Sequence, residues 1–268
     1  MTSAATDTGE RLPSPGTDLL CVAPHTDDAE IALGGTLRLL SARGRTVRVC
    51  DLTGGELASN GTPDERWAEA AVASAELGLA QRVQLALPDG FLDPASPRQV
   101  APLVTILRRW RPRWVVTAPA PRRHPDHVAA PALVARACFL ARLATYQPAS
   151  GGERWWPVGP QQDESLQPVA KTWIAEALLE VCPEDGVPSL IFDVTTTWDA
   201  KLRAIACYGS QFVRGGDRRP TFINSEDFLR RLEGRGRLWG ARAGVAYGEA
   251  LRTRAVPVLA DLPPEVWT

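Results

Sequence analysis

Short, unbroken apolar runs alternate with longer stretches of helical period along the first half of the chain. Leu19–Ala23, Val47–Leu52, Val83–Leu87 and Trp114–Ala118 have the length and apolar character of strands buried on both faces. Between them the spacing predicts helices. Ala29–Arg43 places Ile31, Leu33, Leu37 and Leu40 on one face and stops at Gly44; Asp64–Leu77 offers Trp67, Ala70, Ala71, Ala75 and Leu77 and stops at Gly78. Val100–Trp110 and Val128–Thr145 read as two more helices. Such alternation predicts a Rossmann-like α/β fold, a doubly wound, mostly parallel sheet flanked by helices. Farther on, Ala170–Ile174 and Ser189–Val194 are predicted strands, and Asp199–Tyr208, Glu226–Leu232 and Trp239–Leu251 predicted helices. Gln147–Gln167, rich in Pro, Gly, Gln and Trp, shows no period and predicts a long loop or insertion. Residues 1–17 are polar and predict a flexible tail ahead of one domain over 18–268, with no internal repeat.

Composition narrows the picture by exclusion. With 44% apolar residues in 268 there is ample material for a buried core. A net charge of −1 offers no reason to expect nucleic acid or an anionic membrane as partner. No apolar run reaches the roughly 18–20 residues of a membrane span, and the N-terminal stretch has neither the basic start nor the apolar core of a secretory leader. A cytoplasmic protein is expected. Cys21, Cys50, Cys138, Cys182 and Cys207 are odd in number, scattered, and without a CxxC pair, so reduced structural thiols are expected.

The histidines change the picture most. All 3 lie in two acidic clusters, His25-Thr26-Asp27-Asp28 and His124-Pro125-Asp126-His127, each just after a predicted strand. Ligands bind outside the carboxyl ends of strands in open α/β sheets. Imidazole mixed with carboxylate suits a catalytic zinc site, where three protein ligands leave a position for water. Asp27 and Asp28 point in different directions, so one can ligate metal while the other faces the attacking water; alternatively one of them caps the helix that follows. Asp126 is placed to accept a histidine N–H and so fix its tautomer. Gly34 and Gly35 read as permitting close helix–strand approach, and without a GxGxxG no dinucleotide site is indicated.

Several motifs in order now resemble the LmbE/PIG-L family of zinc-dependent N-acetylglucosamine deacetylases. These are His25-Thr26-Asp27-Asp28 with Gly34-Gly35, the turn Thr53-Gly54-Gly55-Glu56, Arg66 and Glu69 on a helix ending Leu77-Gly78, the turn Pro88-Asp89-Gly90, and His124-Pro125-Asp126-His127. Thr26 stands where the family has proline, which changes a backbone constraint but no ligand atom. Lys201–Phe212 and Gly244–Leu251 are similar to the branch that deacetylates N-acetylglucosaminyl malate for bacillithiol biosynthesis.

The resemblance implies a set of roles. His25, Asp28 and His127 hold one Zn2+ per chain, or another divalent ion such as Fe2+. Asp27 is the general base, His124 stabilises the oxyanion in its protonated form, and Asp126 orients His124. Glu56, Arg66, Asp89, Arg123, Tyr208 and Gln211 are candidates for contacts to the sugar or its aglycone, with Arg123 suited to an anion. For Arg66 a surface ion pair with Glu69, and for Tyr208 simple core packing, are the competing readings. The implied substrate is a small N-acetylglucosamine conjugate, the malate conjugate first, with inositol conjugates, chitooligosaccharides or a natural-product sugar as alternatives. A homo-oligomer, trimer or hexamer, is implied too. A sugar-binding member with weakened catalysis is the reading from a different class.

Overall fold

The computed structural model describes residues 16–117, 124–148 and 171–253. Its first half is strand and helix in strict alternation: β1(Thr17–Ala23), α1(Asp28–Ala42), β2(Val47–Thr53), α2(Pro63–Leu77), β3(Gln81–Leu87), α3(Pro97–Trp110), β4(Pro112–Thr117) and α4(Pro125–Ala141). There follow β5(Ala177–Val181), β6(Leu190–Asp193), α5(Trp198–Ala206), the single turn α6(Gly209–Phe212), α7(Glu226–Ala243) and β7(Gly248–Arg252). Local chemistry sets the helix ends. The Thr62 hydroxyl accepts from the Glu65 amide with Pro63 opening α2, and Gly78 closes it in the left-handed region. Ser225 and Gly244 do the same for α7.

One sheet of order β3-β2-β1-β4-β5-β7-β6 joins these strands. The first five are parallel; β7 runs antiparallel to β5 and β6. The α/β class and mostly parallel sheet are as expected. Alternate residues of β1 divide between two cores. Leu20 and Val22 face α3 and α4, whereas Leu19, Cys21 and Ala23 face α1, α2 and α5. The chain winds from β1 out to β3, then returns to the other side of β1 with β4. That reversal makes the carboxyl ends of β1 and β4 the switch point, where open α/β sheets bind their ligands. Both histidine clusters lie there.

Three expectations need correction. Thr17 is already in β1, its hydroxyl donating to the Trp110 carbonyl at 2.9 Å, so a free tail cannot include it. Lys171–Ile174 is not a strand. Its apolar weight is Trp173, a buried plug whose amide donates to the Ala141 carbonyl and whose indole donates to Pro112, and the next strand is β5. Trp239–Leu251 is not one helix. It is the end of α7, which runs unbroken from Glu226, and then strand β7. Gly244, at φ 72°, ends the helix, and close packing at Gly240 and Gly248, where a Cβ would lie 2.7 Å from the Ala246 carbonyl and 2.8 Å from Ile191, folds the chain back. Most of the 147–167 stretch, Trp155 and Trp156 included, lies outside the described residues.

Gly34 and Gly35 do serve close approach, but to helix α5 and to the residue after β6 instead of a strand. A Cβ on Gly34 would lie 2.9 Å from Lys201, and one on Gly35 2.7 Å from Val194. There the buried Glu249 of β7 reaches the middle of α1. Its carboxylate accepts from the amides of Gly35 at 3.1 Å and Thr36 at 2.7 Å, from the Thr36 hydroxyl at 2.6 Å, and from Lys201 Nζ at 2.5 Å. Burial pushes the Lys201 ammonium down to about 8 although Glu249 opposes it. All five cysteines are free, and burial pushes the thiols of Cys21 and Cys50 far up, consistent with structural thiols. No helix among the described residues is long and apolar enough to cross a membrane.

Candidate metal centre and catalytic site

The loop leaving β1 and the first turn of α4 bring three donor atoms together. His25 Nδ1 lies 3.1 Å from Asp28 Oδ2 and 3.1 Å from His127 Nε2, and His127 Nε2 lies 3.3 Å from Asp28 Oδ2. Donors at zinc distances in a tetrahedral shell are about 3.3–3.4 Å apart, so the triangle has nearly the edge of one tetrahedral face. Two imidazole nitrogens facing each other so closely repel unless a proton or a cation lies between them. The charge balance points the same way. Asp27, Asp28, Asp89 and Asp126 are all buried here, and among the described residues Arg66 is the one buried guanidinium paired to them. The residues therefore fit a divalent ion.

The opposite edge of the His25 ring is equally constrained. Its Nε2 lies 3.1 Å from Asp89 Oδ1 and 3.2 Å from Asp126 Oδ2. A hydrogen on Nε2 shared with these carboxylates leaves the Nδ1 lone pair for the metal. Asp126 in turn accepts from the amides of Gly90 at 2.7 Å and Leu92 at 3.1 Å, and Asp89 from that of Leu57 at 2.9 Å. Two other donor triads are compact, His25/His124/His127 and His25/Asp89/Asp126, each with ligand atoms within 4.8 Å. The Asp28 triangle is tighter, and the Asp89 and Asp126 oxygens meet the far side of His25 at Nε2. Burial alone would lower the His25 pKa, but its hydrogen bonds to the Asp126, Asp28 and Asp89 carboxylates carry it well above the usual histidine value. Burial raises Asp28, yet His127 and His25 hold it well below the carboxylate range. The same contest leaves Asp89 at about 2, held down by His25 and the Leu57 amide.

Asp27 stands beside the triangle in an uncommon backbone conformation, φ 134° and ψ −23°. Such conformations cost about 1–3 kcal/mol and persist where the surroundings enforce them. Its side chain makes no capping bond to α1, which removes the cap reading. Burial raises its pKa to about 7; Arg66 opposes the shift and Asp28 adds to it. A carboxylate so poised is suited to proton transfer near neutrality.

The structure relocates several other residues. Asp126 faces His25, not His124. His124 instead heads α4, its Nδ1 accepting from the Asp126 amide at 3.3 Å, with its ring centroid 4.6 Å from that of His25. Burial and the neighbouring His25 and His127 lower its pKa from the usual histidine value. Arg66 is buried, donating to the carbonyls of Gly55 at 3.2 Å and Thr26 at 2.7 Å, so it meets neither solvent nor a sugar; Glu69 bonds Ser210 instead of pairing with it. Tyr208 is fully buried, its hydroxyl donating to Glu30 at 3.0 Å. Gln211, also buried, donates to the Asn60 carbonyl at 2.6 Å. Glu56 accepts from the Asp89 amide at 2.7 Å, shaping the loop beside the site. Arg123 lies outside the described residues.

Sequence reasoning missed a buried network under the site. The Arg82 guanidinium grips Asp51 at 2.6 and 2.9 Å and Glu30 at 2.6 Å, with Tyr208 beside it. Burial pushes Asp51 up to about 6 while Arg82 opposes. The available signal was an ionisable residue at positions in β2, β3 and α1 where the period calls for apolar ones.

Comparison with known proteins places this geometry. Residues 20–138 match the family model described as PIG-L: GlcNAc-PI de-N-acetylase. The structure of the conserved protein TT1542 from Thermus thermophilus is 34% identical, with a TM-score of 0.73 covering 93% of this chain and 99% of that one. The chain belongs to the PIG-L family. Among its relatives, the diacetylchitobiose deacetylase of Thermococcus kodakarensis is 27% identical, over 87% of this chain and 82% of its own. The 1D-myo-inositol 2-acetamido-2-deoxy-alpha-D-glucopyranoside deacetylase of Rhodococcus erythropolis is 24% identical, over 72% and 80%. This PIG-L protein is thus an enzyme, a hydrolase of the N-deacetylase type. The family match spans both histidine clusters.

Proposed function

We propose that this enzyme hydrolyses the acetamide of a small N-acetylglucosamine conjugate, with one zinc ion held by His25, Asp28 and His127. The triangle of donors with a buried carboxylate alongside carries the reading. A bound zinc ion supplies a Lewis acid that acidifies water and polarises the acetyl carbonyl. The protein's own groups do the rest. Asp27 takes a proton from the attacking water and returns it to the departing amine. His124, its Nδ1 occupied by the Asp126 amide, carries its hydrogen on Nε2 and donates it to the developing oxyanion as a neutral imidazole. Asp89 and Asp126 keep His25 in the tautomer that ligates.

The names of the relatives favour a β-linked disaccharide or an inositol glycoside as substrate. The malate conjugate stays on the panel through the motifs near the C-terminus. We further propose a homo-oligomer, which the family resemblance implies, in the cytoplasm, for which the scattered free cysteines speak. The test is metal analysis of purified protein together with acetate release from diacetylchitobiose, the inositol conjugate, the malate conjugate and free N-acetylglucosamine. One divalent ion per chain and turnover on at least one conjugate are expected. Fully loaded protein that releases acetate from none of them overturns the reading.

A further inference from the structure

We propose that Arg66 is a positioning residue, which holds Asp27 in its uncommon backbone conformation, and that Gly55 is glycine to make room for it. The inference rests on the deacetylase reading only in giving Asp27 its task. The geometry itself stands apart from the chemistry. Rotation about φ of Asp27 turns the peptide plane that contains the Thr26 carbonyl. Arg66 Nη2 donates to that carbonyl at 2.7 Å and lies 3.3 Å from Asp27 Oδ2, so one guanidinium edge pins both the peptide before Asp27 and its carboxylate. The other terminal nitrogen, Nη1, donates to the Gly55 carbonyl at 3.2 Å and so anchors the clamp to the loop after β2. A Cβ on Gly55 would lie 1.7 Å from Nη1 and 2.6 Å from Cζ, and Gly55 itself has φ 66°.

Arg66 is 3% exposed, which keeps it from the substrate and shields the clamp from water. Thr26 is held from another side, its hydroxyl accepting from Gln84 at 3.3 Å, and Thr53 anchors Pro24 through its amide and hydroxyl, each at 3.0 Å. The planar fork matters because three acceptors must be met at fixed angles, which a lysine ammonium cannot reproduce.

The experiment compares Arg66→Lys, Arg66→Ala and Gly55→Ala with the wild type. Displacing a reacting group by about 1 Å costs roughly a hundredfold in rate. All three variants should therefore lose about that factor in kcat, with KM within about threefold and metal content unchanged. Free guanidinium should restore part of the kcat of Arg66→Ala and none of that of Gly55→Ala, where the native side chain still occupies the space. A rise in KM at unchanged kcat would mean that Arg66 meets the substrate, and overturns the proposal, as does full activity in Arg66→Lys. Crystal structures of the metal-free variants give a reading independent of turnover. Asp27 should leave the positive-φ region in Arg66→Ala; an unchanged φ sinks the clamp even if the wild type proves to be no deacetylase.

Discussion

Helix α1 meets buried ionisable groups twice, and the two meetings differ in one respect. At its middle, both oxygens of Glu249 are satisfied: Oε1 by Lys201 and the Gly35 amide, Oε2 by the Thr36 amide and hydroxyl. At its start, Asp28, Asp89 and Asp126 crowd one imidazole, and two histidine nitrogens confront each other. The first cluster is complete within the chain. The second is one that a divalent cation would complete. Burial and perturbed pKa values are common to both, so neither singles out the site; the unmatched charge does.

That contrast can be broken most directly at the second cluster. Asp27→Asn should keep the metal and lose about 10²–10⁴-fold in turnover, the usual contribution of a general base. His25→Ala should lose both metal and turnover, as followed by elemental analysis and acetate release. Equal activity in Asp27→Asn and wild type would leave the strained carboxylate without a task.

The first cluster should answer in stability alone. Glu249→Ala leaves Lys201 buried without its partner and the Thr36 hydroxyl without its acceptor. A loss of about 3–5 kcal/mol is expected in denaturant unfolding, with metal stoichiometry intact. Should that variant bind no metal yet remain as stable as wild type, the division between scaffold and site would be wrong. Tyr208→Phe sharpens the same line more gently. Losing a hydrogen bond to a carboxylate should cost about 1.5–3 kcal/mol and leave kcat within twofold, because the hydroxyl serves Glu30 beneath the site. A large fall in kcat would give the Tyr208 hydroxyl a part in the reaction itself.

The smallest effect is one of pH. Lys201 has a folded pKa of about 8 against 10.5 for the free side chain. Between those values the unfolded chain binds more protons, so this group's contribution makes stability rise with pH across that window. Below pH 8 the cost of keeping the buried ammonium charged is present in full. Lys201→Met should flatten that rise, as seen in unfolding curves at pH 7, 8, 9 and 10. A slope identical to wild type would show that the ammonium is not desolvated as the structure has it.

Much of this was legible beforehand because local rules and tertiary structure agree in the first half. Buried parallel strands must be apolar runs, helices between them must carry a 3.6-residue stripe, and glycines such as Gly78 must close them. Trp239–Leu251 defeated the same logic. Its apolar residues suit a helix or a strand, and the sheet edge offered by β5 decides for the strand after Gly244. Arg66, Tyr208 and Gln211, as polar residues near the motifs, suit contacts to a substrate. They are polar groups beneath the site, and no spacing in the sequence distinguishes facing a site from facing the loop that forms it.

From residues alone came the two histidine clusters, their place after strands, and the donor types that call for a divalent ion. Those follow from chain order and from the chemistry of imidazole and carboxylate. Which carboxylate serves which histidine was decided only on folding. Asp126 turned to His25 because the Gly90 and Leu92 amides capture it from a loop distant in sequence, and the left-handed twist at Asp27 exists because Arg66, from another helix, holds its peptide in place. Contacts of that kind depend on angles between elements, which residue order does not carry.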